Sequence, residues 1–248
     1  MKFIENYRDR FAGKEIWIVG PGPSLDDFPE DFFDGKISIM MRPCDVVFPN
    51  FTFSICSYDT PQFCLQFKTD RVRLKREIFL LNPKHKKNWL GAYNKFPIFL
   101  RTFKPYSFQD SKIWPGIQAP YVIKKHVKET VKHIMAKDSD RYAGIGIMQG
   151  WAIEAALVLG ATKVTLAGCE GKVTRFKWHA ERVSFYYASV YPKNLRSSAN
   201  GFSKIQLKLF THLGGRMQEE IQWFATILKP YGIEISRYFY GKGYQKII

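Results

Sequence analysis

Short apolar segments recur along the chain, each bounded by glycine, proline or charged residues. The clearest is 15–20 (EIWIVG), which lies between Gly13-Lys14 and a Gly/Pro cluster. Most of these segments lack strict alternation of apolar and polar residues, a pattern typical of parallel strands covered on both faces. The segments predicted to be strands are 15–20, 37–41, 52–56, 78–81, 98–100, 163–167 and 233–236.

Three segments have the apolar periodicity of helices. In 121–136 the apolar residues recur at helical spacing beside a lysine-rich face, and Pro120 precedes them, where its missing N–H costs nothing. The segment 150–159 (GWAIEAALVL) ends at Gly160, a residue typical of a helix C-terminus. A third helix is predicted over 217–228, before the sequence KPYG.

Strands that alternate with helices predict an α/β fold. We expect a Rossmann-like domain with a mostly parallel sheet, helices on both faces and right-handed crossovers. The chain of 248 residues suits a single domain of this kind. The interval 83–120, rich in lysine, asparagine, proline and aromatic residues, is predicted to be an insertion over the carboxyl end of the sheet.

Composition adds an expectation about partners. Apolar residues make up 46% of the chain, which excludes bulk disorder, and 38 Lys and Arg against 22 Asp and Glu give a net charge of +16. This net charge predicts an electropositive surface that attracts polyanions.

The four cysteines form no CxxC pair and no metal-like spacing with histidine. We therefore expect the cysteines to be reduced and mostly buried, and the protein to be cytoplasmic. We expect no secretory signal, because the charged amino terminus has no apolar core, and no membrane span, because no apolar run approaches the required length.

A glycine-rich turn, Gly20-Pro21-Gly22-Pro23-Ser24-Leu25, follows the first strand. Ser24 is the predicted N-cap of a helix, whose opening N–H groups attract phosphate. NAD is disfavoured because the third small residue and the acid after the second strand are both missing, and no GxxxxGK[ST] motif for a P-loop exists. Pro21 and Pro23 lack an N–H, which leaves mainly Gly22, Ser24 and Leu25 to meet a phosphate. A tight turn without a ligand is the alternative.

A second block, GWAIEAALVLGATKVTLAGCE over 150–170, joins a small-residue helix to a strand that ends at a glycine and an acid. Together with the GPGPSL turn it resembles glycosyltransferase family 42, the sialyltransferases, and the related pterin-diphosphokinase-like proteins. The resemblance covers 15–27 and 148–171, with a fainter third block around 212–235. It implies a nucleotide-sugar donor held between the turn and the later helix. The implied donor-binding residues are Gly20, Gly22, Pro23, Ser24, Gln149, Gly150 and Gly168.

The resemblance also implies catalytic groups. Glycosyl transfer needs a base for the acceptor hydroxyl and groups that stabilise the departing nucleotide. His212, just before the third predicted helix, matches the first histidine of the family's H-x-x-G-H segment. Glu170 is the alternative base, and His179 competes within 171–200, which resembles the family's lid. Tyr187 is a candidate lid hydroxyl for the leaving group.

No obligatory metal is predicted. Asp138-Ser139-Asp140 matches the DxD with which many nucleotide-sugar transferases bind Mn²⁺ or Mg²⁺, but it follows a basic helix instead of ending a strand. A capped loop is the favoured interpretation.

The acceptor is predicted from charge. Basic runs interleaved with aromatic residues are typical of nucleic-acid binding, and DNA carrying a modified base is the favoured acceptor. A lipid-linked saccharide at an anionic membrane is the alternative, with the basic segment 237–248 docking there. A non-catalytic nucleic-acid-binding protein on the same fold is the second alternative. The basic runs lie at 71–76, 84–87, 124–128 and 172–177.

Overall fold

The computed structural model describes residues 2–41, 44–56, 77–80, 97–99, 120–137, 148–170, 182 and 204–247. Their strands are β1 (Lys2–Phe3), β2 (Glu15–Val19), β3 (Ser38–Met41), β4 (Phe53–Cys56), β5 (Glu77–Leu80), β6 (Pro97–Phe99), β7 (Lys163–Ala167), β8 (Glu234–Phe239) and β9 (Gly243–Lys246). Their helices are α1 (Cys44–Val47), α2 (Pro120–Met135), α3 (Met148–Val158) and α4 (Lys204–Leu228), with 3₁₀ turns η1 (Ile4–Tyr7), η2 (Pro23–Asp27) and η3 (Lys229–Tyr231).

The strands form one sheet in the order β1-β6-β5-β4-β3-β2-β7-β8-β9. Every adjacent pair is parallel except β8 with β9, which form an antiparallel hairpin. From β2 the chain moves to β3 and outward on one side, and later adds β7 and β8 on the other. The described residues therefore show an α/β fold with a mostly parallel sheet.

The helical face of the sheet carries the main core. Alternate strand residues such as Ile16, Ile18 and Leu166 are fully buried or nearly so, and they pack against Ala152 and Ala156 of α3. The helices α2, α3 and α4 pack on one another over this face. Since α3 is apolar on nearly all sides and Ala-rich, it can approach the sheet closely.

The opposite face is aromatic and has thinner cover. Trp17 of β2 meets the rings of Phe32 and Phe33 edge-on at 5.6 and 6.0 Å, and Tyr238 of β8 at 5.3 Å. In the described part of the chain this face is covered by η2, the segment 28–36 and α1, and none of the three long helices packs there. Long helices on both faces, as the sequence analysis expects, are thus not found within these residues.

Most predicted elements lie where the sequence placed them. The seven predicted strands match β2 to β8 within one residue at their starts, and α2 begins at Pro120. After α3, Gly160 adopts a φ of 89° and its N–H bonds to the Leu157 carbonyl at 3.0 Å, which confirms it as the terminating residue. Strand β6 falls inside 83–120, so part of that predicted insertion belongs to the sheet.

Two local predictions are wrong. The helix predicted to begin at 217 begins at Lys204, so the backbone of His212 lies inside α4 and not before it. The turn after β2 leads into a five-residue 3₁₀ helix. Its N-cap residue is Gly22, not Ser24, and no side chain forms a capping hydrogen bond there.

No described helix is long and apolar enough to cross a lipid bilayer.

Candidate active site

The carboxyl ends of β2 and β7 lie side by side where the strand order changes direction. In open parallel sheets such a switch point is the usual place for a ligand. Gly20-Pro21-Gly22 follows β2, and Gly168 to Glu170 follow β7. Two short hydrogen bonds join these segments: Gly20 N–H donates to the Ala167 carbonyl at 2.7 Å, and Gly22 N–H donates to the Gly168 carbonyl at 2.6 Å.

These bonds correct the expected role of the turn. Gly22, Ser24 and Leu25 were the predicted amide donors to phosphate, but the Gly22 amide bonds to Gly168 and the Leu25 amide to the Gly22 carbonyl at 3.0 Å. The Ser24 amide faces the Glu170 carboxylate. The anionic group at this turn is therefore a side chain of the protein itself, and a phosphate needs another cationic or donor group.

Glu170 is placed by close backbone packing. Its carboxylate lies against Gly22, where a Cβ would overlap Oε2 of Glu170. Burial raises the pKa of Glu170, and its own N–H, the Ser24 N–H and the charge of Arg237 offset part of that rise. Neither carboxylate oxygen has a hydrogen-bond partner of normal geometry among the described residues. Gln218 of α4 holds the backbone, because its Nε2 donates to the carbonyls of Cys169 at 3.4 Å and of Glu170.

Arg237 is the cation of this site. It lies on β8 opposite Leu166 of β7, on the helical face. Burial lowers the pKa of its guanidinium, while the nearby Cys169 and Glu170 act in the opposite direction. Its Nε is buried and has no partner within the described part of the structure.

Two further glutamates lie buried beside the start of α3. Glu220 of α4 is fully buried, and its carboxyl occupies the space that a Cβ on Gly150 would need. Glu154, one turn further along α3, is 6% exposed. Burial raises the pKa of Glu154 from 4.5 to about 8. Burial, followed by the charge of Glu154, raises the pKa of Glu220 well above its ordinary value.

Unpaired polar atoms concentrate in this region. Around the ends of β2 and β7 and the start of α3, eight buried side-chain nitrogen or oxygen atoms have no hydrogen-bond partner among the described residues. Buried polar atoms in folded proteins are normally paired, so such a group marks a place where a ligand or water completes the structure. These atoms belong to Ser24, Trp151, Glu154, Glu170, Glu220 and Arg237.

The structure brings together most of the residues expected to bind the donor. Gly20, Gly22, Pro23, Ser24 and Gly168 lie at the switch point, and Gly150 is linked to it through Glu220 and Gln218 on α4. Gln149 lies on α3 and His212 on α4, and only their backbones are described. His179, Tyr187, Asp138 and Asp140 lie outside the described residues.

One residue of the predicted lid is described. The guanidinium of Arg182 donates to the carbonyls of Asp26 at 2.9 Å and Phe28 at 3.0 Å. Its backbone N–H donates to Oδ1 of Asp26 at 3.3 Å. At this residue the interval 171–200 therefore contacts the segment that follows the glycine-rich turn.

Sequence analysis missed Gln218, Glu220, Glu154 and Arg237. A signal existed for two of them: Glu154 is the only charged residue in the apolar run GWAIEAALVL, and Glu220 is spaced like the apolar residues Phe224 and Leu228 of the same helix. Within the described residues no three His, Cys, Asp or Glu side chains are grouped to hold a metal ion.

Comparison with protein-family models, with curated proteins and with solved structures finds no match to the chain. The likeness to the sialyltransferases stays a prediction that depends on its motifs.

The buried glutamates predict a pH-dependent stability. Between pH 4.5 and about 8 the folded chain keeps the Glu154 proton and the unfolded chain has lost it, so the free energy of unfolding falls as pH rises. Each pH unit in this window costs about 1.4 kcal/mol at most. Glu154→Gln removes the share of this slope that belongs to Glu154, while Glu220, whose pKa is also raised, keeps its own share. Urea unfolding at pH 5 and pH 8 measures the difference. Glu234→Gln, the same change at an exposed position, is the control. Parallel profiles for wild type and Glu154→Gln would refute the assignment.

Proposed function

We propose that the protein is a glycosyltransferase that binds a nucleotide-activated sugar at the switch point of a Rossmann-like sheet. The observation that carries the proposal is the concentration of unpaired buried polar atoms around the ends of β2 and β7 and the start of α3. The strand order supports it, because the chain adds β3 on one side of β2 and β7 on the other, and such a switch point opens a crevice at the carboxyl edge of a parallel sheet.

Glu170 is the proposed general base. Its carboxylate is buried beside the turn, and its raised pKa brings it closer to the neutral range in which proton transfer is efficient. Glu170 takes the proton of an acceptor hydroxyl as that oxygen bonds to the anomeric carbon of the sugar. The bond from the anomeric carbon to the donor phosphate breaks, and its electron pair leaves with the nucleotide.

Arg237 is the proposed partner of the donor phosphate. The amides of the glycine-rich turn are engaged within the protein, so a cation must offset the charge that develops on the leaving phosphate. The buried Nε of Arg237 has no partner among the described residues, and the guanidinium lies close enough to interact with Glu170. Gly20 and Gly22 keep the turn flat against β7.

The proposed acceptor is a polyanion, with DNA favoured. A net charge of +16 exceeds what a single donor phosphate requires, and lysines on the exposed surface neutralise backbone phosphates. A lipid-linked saccharide remains the alternative acceptor, and binding without catalysis the second alternative. Both are decided by the same experiments.

A donor should stabilise the folded protein against heat. At a concentration one hundred times its Kd a ligand contributes about 2.7 kcal/mol, which raises the melting temperature of a chain of this size by roughly 5–10 °C. We expect this shift for one member of a panel of cytidine, uridine and guanosine nucleotide sugars, measured by differential scanning fluorimetry.

Arg237→Gln should reduce that shift, because the phosphate loses its cation. Lys125→Gln, a loss of the same charge at an exposed position of α2, should leave it unchanged. If no donor in the panel raises the melting temperature of the wild-type protein, the transferase proposal fails. Donor-dependent release of nucleotide then tests catalysis, with hydroxymethylated DNA as the acceptor and a lipid-linked saccharide as the alternative.

A further inference from the structure

The exposed aromatic side chains lie close together in the chain. Among the described residues the large apolar side chains classed as exposed are Tyr231 at 51%, Tyr240 at 42% and Tyr244 at 50%. All three follow α4 in the sequence. No leucine, isoleucine, phenylalanine or tryptophan side chain of the described residues is exposed to the same degree. Tyr240 is the first residue of the turn in the β8–β9 hairpin, and Tyr244 lies on β9 just after the turn.

Both hairpin rings are held in place by aromatic neighbours on the aromatic face. The Tyr240 ring lies 5.8 Å from that of Phe28 and 5.7 Å from that of Phe32. The Tyr244 ring lies 5.0 Å from that of its cross-strand partner Tyr238. Because their positions are fixed by packing, these rings lose little conformational entropy when a ligand binds.

Lysines lie beside the Tyr244 ring and beside Phe32, the ring on which Tyr240 packs. Nζ of Lys163 lies 3.7 Å from the centre of the Tyr244 ring, and Nζ of Lys36 lies 4.4 Å from that of Phe32. Lys242 and Lys246 are exposed on the hairpin. Among the acids nearby, Glu15 pairs with Lys163 at 3.1 Å and Glu234 lies at the start of β8. The segment that carries Phe28 and Phe32 also carries the exposed acids Asp27, Glu30, Asp31 and Asp34. We define the tyrosine surface as Lys36, Lys163, Tyr240, Lys242, Tyr244 and Lys246.

We propose that the tyrosine surface binds single-stranded nucleic acid. Half-exposed aromatic rings between lysines form the arrangement on which unpaired bases stack while cations follow the phosphates. A surface that inserts into lipid presents tryptophan, phenylalanine or leucine, and the described residues expose none of these here. Nucleic acid is therefore the favoured partner over an anionic membrane.

One end of the tyrosine surface, at Tyr240, lies at the edge of the sheet that carries the candidate active site, whereas Lys36 and Lys163 lie toward the amino ends of β3 and β7. The turn at Tyr240 follows the carboxyl end of β8, and β8 neighbours β7, whose carboxyl end leads to Glu170. Adjacent strands lie about 4.8 Å apart, so the hairpin turn and Glu170 share one edge of the sheet. The proposal rests on the proposed function in this respect: it assigns the acceptor of the transferase to single-stranded DNA bound beside the base.

Fluorescence anisotropy with a labelled oligothymidine tests the proposal without any donor. Tyr240→Leu with Tyr244→Leu keeps apolar packing but removes both stacking rings, and we expect affinity to fall roughly ten-fold or more. Tyr240→Phe with Tyr244→Phe keeps the rings, and we expect affinity within about two-fold of wild type. Circular dichroism melting confirms that each variant is folded.

A charge-matched pair separates this surface from general attraction. Lys242→Ala with Lys246→Ala should weaken binding and reduce its salt dependence. Lys124→Ala with Lys128→Ala removes two exposed lysines from α2, on the helical face, and should have a much smaller effect. Equal losses in the two pairs overturn the proposal, because binding then follows net charge alone. Unchanged affinity in the leucine variant overturns it as well.

Vesicles of phosphatidylcholine with phosphatidylserine provide the membrane arm. If the wild-type protein binds these vesicles but not the oligonucleotide, and the leucine variant loses vesicle binding, then the partner of the tyrosine surface is lipid. That result overturns the proposal. Donor-induced thermal stabilisation is measured separately on the same wild-type protein. A protein that responds to donor but does not bind the oligonucleotide refutes the tyrosine surface alone, and the reverse result refutes the transferase alone.

Discussion

Glu170→Gln is expected to lower the rate of glycosyl transfer by roughly 10² to 10⁴, the range that loss of a general base produces. Glutamine has nearly the same shape, so the contacts of Glu170 with Gly22 and with the backbone beside Gln218 are retained. The substitution removes the carboxylate that takes the proton of the acceptor hydroxyl, but it leaves binding of the sugar donor in place. Single-turnover kinetics with saturating donor measures the loss, and thermal stabilisation by donor verifies binding.

The pH dependence of the proposed transfer reaction, measured on the wild-type protein, gives an independent test of Glu170. Since burial raises the pKa of Glu170, its basic form is depleted as pH falls through that pKa, and the rate should decline on the acidic side. Glu170→Gln should abolish this acidic limb. His212→Asn tests the competing assignment. If His212→Asn loses as much activity as predicted for Glu170→Gln, and Glu170→Gln retains more than a tenth of the wild-type rate, then Glu170 is not the base.

The sheet could be predicted from the sequence because its strands are locally distinct. Runs such as EIWIVG and KVTLA are apolar, short and bounded by glycine, so burial on both faces leaves little choice of conformation. The β9 strand was missed, because GYQK contains a glycine and polar residues and carries no apolar run. Its pairing comes from tertiary contacts, in which Tyr244 packs on Tyr238 and Trp17.

The first half of α4 was missed for a related reason. Gly214 and Gly215 in the sequence THLGGRM indicate a break, since each glycine in a helix interior costs roughly 1 kcal/mol. The helix nevertheless continues from Lys204 to Leu228, where it packs along α2. Tertiary packing therefore outweighs local propensity at this position. His212 was expected outside the helix because the local sequence alone indicates a break there.

The location of the candidate site was predictable, but its chemistry was only partly so. The glycines of the turn and of the β7 end indicate close approach of two backbones, and the sequence order places both at one edge of the sheet. The sequence gives no indication that Gly22 N–H would be taken by the Gly168 carbonyl, because that bond depends on strand register. Arg237 enters the site for the same reason, through the pairing of Leu166 with Arg237.

Gly168→Ala is expected to destabilise the protein strongly. Gly168 has a φ of 63°, and a Cβ there would overlap the carbonyl oxygen of Gly20. The left-handed conformation costs about 1–2 kcal/mol for an ordinary residue, and separating the two turns breaks the bond from Gly22 N–H to Gly168. An unpaired buried amide costs a further 1–3 kcal/mol or so, which gives a loss of roughly 3 kcal/mol in the free energy of unfolding.

Two matched glycines separate the causes. Gly35 has a φ of 73° with nothing within 4 Å of an added Cβ, so Gly35→Ala should show the conformational cost alone, about 1 kcal/mol. An added Cβ at Gly20, which lacks the left-handed conformation, would lie 2.6 Å from the Gly168 carbonyl oxygen, so Gly20→Ala should show the steric cost. Urea unfolding measures all three. A loss for Gly168→Ala no larger than that for Gly35→Ala would mean that the two turns are not held together as described, and the position of Glu170 between them would lose its physical basis.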